Sequence, residues 1–238
     1  MNSAASTPVL SVKNLEAWYG ESHVLHGITF DVRPGEVVTL LGRNGAGKTS
    51  TLKSVMGIID KRTGSIEFEG KDIARMSSDK IARLGVAFCP EERGIFASLD
   101  VKENLLLPPI IHSGGMSLDQ IFELFPNLKE RIGSQGTKLS GGEQQMLAIA
   151  RILRTGARFL MLDEPTEGLA PVIIQQIGHT IARLKSEGFT ILLVEQNFRF
   201  ASTVADRFYI VEHGKIIDAF ANSEIKANME KLHTYLGV

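Results

Sequence analysis

Val37-Val38-Thr39-Leu40-Leu41-Gly42-Arg43-Asn44-Gly45-Ala46-Gly47-Lys48-Thr49-Ser50 is the stretch that decides the fold. Its first five residues form an apolar run without alternation, which predicts a parallel strand buried on both faces. Beyond Lys48, the residues Leu52, Val55, Met56 and Ile59 fall at offsets of three, four and seven, the stripe of a helix. Between strand and helix lies the pattern Gly-x-x-x-x-Gly-Lys-Thr. Glycines there let backbone N–H groups crowd around phosphate oxygens, and the helix start adds a partial positive charge. The Lys48 ammonium can reach β- and γ-phosphate oxygens, and the Thr49 hydroxyl is placed to bind Mg²⁺. Gly42 to Ser50 is therefore the expected holder of the phosphates of ATP.

Working outward, the chain before this stretch reads as antiparallel strands. Val9 to Val12 is one; in the next, Ile28, Phe30 and Val32 alternate with Thr29, Asp31 and Arg33, and Pro34-Gly35 closes it. After the helix, Thr63-Gly64 turns into another alternating strand, with Ile66 and Phe68 on one side and Glu67 and Glu69 on the other. Pro108, Pro109, Gly114 and Gly115 then break the chain, and Ser117 to Gln120 has the form of a helix capping box. Residues 89–157 are read as a mostly helical inserted lobe. Phe159 to Leu162 and Thr190 to Val194 restore short buried strands around a helix with apolar positions Ile173, Ile177, Ile181 and Leu184. Strand, helix and strand in that order predict an α/β core with a parallel sheet, built from residues 1–88 and 158–238 and carrying the antiparallel β-region. A last hairpin, Tyr209 to Val211 and Lys215 to Ile217 about the turn at His213-Gly214, is expected to return to antiparallel sheet.

Two more segments carry chemistry. Phe159-Leu160-Met161-Leu162-Asp163-Glu164 is an apolar strand ending in two carboxylates, the arrangement that completes a metal site opposite a phosphate loop. Asp163 is expected to bind Mg²⁺, and Glu164 to orient a water for in-line attack on the γ-phosphate. Leu139-Ser140-Gly141-Gly142-Glu143-Gln144-Gln145 opens a helix with apolar positions Met146, Ile149, Ile152 and Leu153. Ser140 before two glycines is a second anion site at a helix start, although the same residues also suit a simple N-cap. One nucleotide needs one phosphate loop, so a second site suggests that two chains sandwich each ATP.

Composition narrows the classes. Net charge is −1, with no cluster of Lys and Arg interleaved with aromatics, so nothing marks a nucleic-acid partner. A single cysteine, Cys89, cannot form an internal disulfide, and the chain does not open on a secretory signal, which points to the cytoplasm. No apolar run approaches the ~20 residues that span a bilayer.

Phosphate loop, Leu-Ser-Gly-Gly-Glu-Gln and carboxylate strand, in that order and over nearly the whole chain, resemble the nucleotide-binding subunits of ABC transporters. The resemblance implies an ATPase in which Tyr19, within Trp18-Tyr19-Gly20, stacks on the adenine. It also implies that Ser140, Gly141 and Gly142 grip the γ-phosphate of ATP held by a partner subunit, so that ATP closes the dimer and hydrolysis opens it. Three positions depart from the common pattern. Glu91 stands where most members have glutamine, Ala170 where most have aspartate, and Gln196 where most have a switch histidine. With Pro171, these look like the second ATPase subunit of branched-chain or hydrophobic amino-acid importers, and closely similar ATPases serve urea and amide importers. The resemblance implies a bacterial origin and a hetero- or homodimer peripheral to the inner face of the cell membrane. It also implies two membrane permease subunits, fed by a periplasmic binding protein.

Gln196 can donate a hydrogen bond to the γ-phosphate but cannot titrate near neutral pH. Glu91 brings a third carboxylate towards Mg²⁺. An ABC-type ATPase acting on nucleic acid or ribosomes is disfavoured because the chain has neither tandem cassettes nor a long coiled-coil insert. A phosphate-loop kinase or GTPase is disfavoured by the Ser-Gly-Gly turn. His23 and His26 lack ligand partners at zinc spacing. Phe96, Leu99 and Leu105 suit either a seat for a membrane subunit or lobe core, and Arg151 and Arg154 read as a solvated helix face.

Overall fold

The computed structural model describes residues 7–237. Its first strands, β1 (Leu10–Tyr19) and β2 (Ser22–Val32), pair as an antiparallel hairpin. β1 runs well past the Val9–Val12 strand expected from the sequence. Its buried residues are Leu10, Val12, Leu15 and Ala17, so the alternation slips at Lys13-Asn14, where the pairing is irregular and Asn14 has φ 50°. The bulge breaks the period of two, which hid the second half of the strand.

β3 (Val37–Leu41) is buried at every position, and α1 (Lys48–Val55) follows directly. The helix is capped at Met56, so Ile59 packs into the core from the loop beyond it. β4 (Arg62–Phe68) and β5 (Lys71–Asp72) complete a four-stranded antiparallel sheet ordered β2-β1-β4-β5. α2 (Ser78–Arg83) leads to β6 (Val86–Cys89). The following segment holds α3 (Val101–Leu106), α4 (Leu118–Leu124), α5 (Pro126–Glu130) and α6 (Gly141–Leu153). Capping boxes start α3 at Asp100 with Glu103, α4 at Ser117 with Gln120 and α6 at Ser140 with Glu143. The chain then alternates β7 (Phe159–Asp163), α7 (Pro171–Ser186), β8 (Thr190–Glu195) and α8 (Phe198–Val204). It ends with β9 (Arg207–Glu212), β10 (Lys215–Ala221) and α9 (Ile225–Leu236).

The second sheet has six strands ordered β10-β9-β3-β8-β7-β6, and every neighbour pair except β10·β9 is parallel. The last hairpin is antiparallel within itself, but it extends this sheet because β9 lies parallel to β3. Period two divides each central strand between two cores. Val37 and Leu41, Leu160 and Leu162, and Ile191 and Leu193 enter a core shared with α3 to α9. Val38 and Leu40, Phe159 and Met161, and Leu192 and Val194 enter the other, with Leu52 and Val55 of α1 and the inner face of the antiparallel sheet. Burying each such side chain is worth roughly 1.5–3 kcal/mol. The helical segment thus packs on the sheet in one continuous core.

Two sequence readings change here. Arg151 and Arg154 are not a solvated face: Arg151 donates to the Gly94 carbonyl and lies over the Phe96 ring, 5.1 Å from its centre, while Arg154 donates to the Met116 carbonyl at 3.1 Å. Both tie α6 to the loops that cross it, a role that charge alone does not reveal. Leu105 is fully buried core, whereas Phe96 is exposed. No helix among the described residues is long and apolar enough to cross a membrane.

Candidate active site

Parallel strands deliver their C-terminal ends to one edge, where crevices form in open α/β sheets. Leu41 of β3 pairs with Glu195 of β8, and Asp163 of β7 with Val194 of β8, so Gly42, Glu164 and Gln196 leave adjacent strand ends. The phosphate loop turns there because its glycines permit it. A Cβ on Gly42 would overlap the Val211 carbonyl oxygen. Gly47, the residue before α1, sits at φ 104°. No side chain caps α1 and its first turn has no acidic residue, unlike α3, α4 and α6. Its leading N–H groups thus have no side-chain acceptor from the chain and are open to an anionic ligand.

A cavity of about 540 Å³ opens over this turn, lined by Asn44, Gly45, Gly47, Lys48, Thr49, Ser50, Glu91, Glu164 and Glu167. Lys48 is 3% exposed. Its ammonium donates to the carbonyls of Gly42 at 2.9 Å and Arg43 at 3.0 Å and pairs with Glu164 at 3.0 Å. Glu164 is buried and has φ 44°, an unusual backbone for a non-glycine residue, held by its N–H donating to the Val194 carbonyl at 2.9 Å. Asp163 lies behind Thr49, whose hydroxyl donates to its Oδ1 at 3.0 Å. The other oxygen, Oδ2, is buried without a partner. Burial pushes the Asp163 carboxyl up to about 6; the Thr49 hydrogen bond opposes this, and the charges of Glu164 and Glu91 add to it.

This set fits ATP with Mg²⁺. An orphaned carboxylate oxygen next to a threonine hydroxyl, at the mouth of an uncapped helix, is a half-built site for a hard cation. No group of three or more His, Cys, Asp and Glu among the described residues could hold a metal ion. Mg²⁺ here would therefore take most of its ligands from phosphates and water, as it commonly does.

Other expected residues lie elsewhere. Gly42 and Arg43 border a second cavity of about 690 Å³, shared with Asn44, Thr166, Glu167, Asn197 and Gln196, where the Gln196 amide donates to Glu167 at 3.3 Å. Gln196 does not line the Lys48 cavity. Ala46 is buried in the core behind the loop. Tyr19 is 49% exposed and lines neither cavity. Ser140 caps α6, accepting from the Glu143 N–H at 3.3 Å, and neither it nor Gly141 and Gly142 lines the cavity around Lys48. A grip by these three on a phosphate needs another copy or a partner chain.

The structure also brings to the site residues to which the sequence assigned no role there. His23 and His26, set aside as zinc ligands, and His213 of the last turn line the Lys48 cavity, with the His23 ring stacked on Trp18 at 4.4 Å. Glu195, 2% exposed, ends β8 beneath the loop, accepting from the Thr166 hydroxyl at 2.8 Å and the Asn197 N–H at 3.2 Å. A carboxylate closing the otherwise apolar Ile191 to Val194 strand was the available signal.

Residues 25–167 match the family model described as ABC transporter. The chain is 41% identical, over 96% of its length and all of the relative, to the high-affinity branched-chain amino acid transport ATP-binding protein BraG of Pseudomonas aeruginosa. It is 34% identical to the lipopolysaccharide export system ATP-binding protein LptB of Escherichia coli K12, over 96% of the chain and 97% of the relative. A crystal structure of a nucleotide-free ATP-binding cassette from an ABC transporter superposes with a TM-score of 0.83 at 24% identity, covering 98% of this chain and 99% of the other.

Proposed function

The chain belongs to the ABC transporter family and is an ATP-binding ATPase of it, and on that premise we propose that it powers an importer of branched-chain or other hydrophobic amino acids. The observation that carries the cargo is the end-to-end likeness to BraG, stronger than the likeness to LptB, whose name describes export. Glu91, Ala170, Pro171 and Gln196 agree with that subfamily. The subunit sits on the inner face of the membrane, pairs with a second ATPase subunit and engages two permease subunits served by a periplasmic binding protein. Phe96, Leu106, Leu107 and Ile110, all 47% exposed or more, supply apolar surface for the membrane subunits.

In this reading the uncapped start of α1 and the Gly42–Ser50 backbone hold the phosphates, and Lys48 turns from Glu164 towards the γ-phosphate. Thr49 and Asp163 would hold Mg²⁺, with Glu91 on the same cavity wall as a further carboxylate for it, and the ion would supply neutralisation of phosphate charge. Glu164 orients the attacking water and accepts its proton. The partner's serine and glycines close over the nucleotide, Tyr19 stacks on its base, and Gln196 donates to the γ-phosphate once the two cavities are drawn together. In a mixed dimer, the site with Gln196 and the site with a partner's residue turn over unequally.

Proteoliposomes carrying the chain with its permeases and loaded with ATP test the cargo: labelled leucine should accumulate when binding protein is supplied outside. Uptake of urea instead, or movement outward, would overturn the amino-acid reading. For the chemistry, Glu164→Gln should bind ATP and not turn it over; undiminished hydrolysis removes Glu164 as the base.

A further inference from the structure

Glu195 is a buried carboxylate with no part in the steps above. Three segments of the site converge on it. Its carbonyl oxygen accepts from the N–H of Gly42, the first glycine of the phosphate loop, at 3.3 Å. One carboxylate oxygen accepts from Thr166, two residues beyond Glu164, and the other from the N–H of Asn197, next to Gln196. Thr166 is itself 4% exposed, so its bond to Glu195 is shielded from water. Burying a carboxylate is costly even when hydrogen-bonded, and a strand could end there on an apolar side chain at no such cost. Charge kept in a dry site at this expense marks functional residues.

We propose that Glu195 is a positioning residue for ATP hydrolysis, fixing through Thr166 and Asn197 the directions from which Glu164 and Gln196 meet the γ-phosphate. This rests on Glu164 as the base. The ionised carboxylate accepts both hydrogen bonds, whereas a proton on it converts one acceptor oxygen into a donor. Burial pushes this carboxyl up to about 7, against the bonds from Thr166 and Asn197 and with the charge of Glu164. Charged groups on the surrounding elements are Asp163 at the end of β7, Glu164 just after it, Glu167 beyond them, Arg43 and Lys48 on the loop and α1, and Arg199 on α8.

The test measures kcat and KM for ATP on the full chain in its transporter complex, from pH 6 to 9. Glu195→Gln should lower kcat at pH 8 by about tenfold or more while KM moves less than about threefold, the mark of an interaction made in the transition state. Its melting temperature at pH 8 should equal or exceed that of the wild type, which a merely structural residue would not allow. Wild-type kcat should fall as pH drops through about 7, and the variant should lack that limb. Thr166→Val should lose turnover likewise, and Thr166→Ser should restore it. Unchanged kcat in Glu195→Gln and Thr166→Val, or a kcat loss that only tracks loss of folded protein, overturns the proposal. Run in parallel, Glu164→Gln separates the two assignments. If it is inactive while Glu195→Gln is normal, only Glu195 is misassigned; if it hydrolyses normally, the base falls and this proposal with it.

Discussion

Replacing Lys48 by methionine keeps an unbranched stem, with sulfur in place of one methylene, and removes the ammonium. In the folded chain that ammonium serves the carbonyls of Gly42 and Arg43 and the carboxylate of Glu164, and both charged side chains are nearly closed to water, 3% and 6% exposed. Deleting one member of a buried pair strands the other, at a cost of about 3–5 kcal/mol. For a chain of this size each kcal/mol lowers Tm by roughly 2–4 °C, so a fall of about 10 °C is expected. Glu164→Gln should cost less, about 1–2 kcal/mol, because the amide oxygen still accepts from Lys48. If the stranded carboxylate is the cause, the double variant should regain about 2 kcal/mol relative to Lys48→Met alone. Urea unfolding without nucleotide, followed by calorimetry and by the fluorescence of Trp18, the chain's one tryptophan, measures all three. A loss below about 1 kcal/mol in Lys48→Met, or strict additivity in the double variant, would refute the idea that this pair is coupled out of water.

The two raised carboxyls predict a pH dependence of stability. Asp163, at about 6 against 3.8, and Glu195, at about 7 against 4.5, each contribute stability below their unfolded values that is lost as pH rises through the folded ones. Each contributes on the order of 3 kcal/mol between pH 4 and 8 at most, and Glu195→Gln should flatten the Glu195 part in a series of Tm measurements. Gly42→Ala should unfold more easily by at least about 2 kcal/mol and lose ATP binding, since its methyl meets the Val211 carbonyl; normal binding in an ATP titration would contradict the close approach. Asn104, fully buried, accepts from the Phe96 N–H at 2.8 Å and donates to the carbonyls of Phe96, Leu99 and Asp100. Asn104→Ala should therefore cost about 2–3 kcal/mol by denaturant titration. Gln196→His should raise turnover at this chain's site in the assembled dimer; unchanged single-site rates remove the argument for unequal sites.

Much of the molecule is legible in its sequence because the deciding signals are local. A strand buried on both faces must be apolar throughout, a phosphate-binding turn must have glycines where a Cβ would collide, and a helix that keeps its N–H groups for a ligand must begin uncapped. Val37 to Thr49 meets all three conditions within a few residues of chain, and Phe159 to Glu164 carries its carboxylates at the end of a similar run. The class of fold and the phosphate loop follow from such patterns. Relations between segments distant in sequence do not. The bulge at Asn14 hid half of β1, the β9–β10 hairpin gave no sign of which sheet it extends, and Arg151 looked like any surface charge until the Gly94 and Phe96 loop folded over it. Glu195 is the sharpest case. Its neighbours Thr166 and Gly42 lie 29 and more than 150 residues away, and only the parallel register of β3, β7 and β8 brings them to one carboxylate. Local chemistry can be read along the chain. Which charges share a dry pocket, and therefore what their burial costs, was decided by the packing of strands on one another.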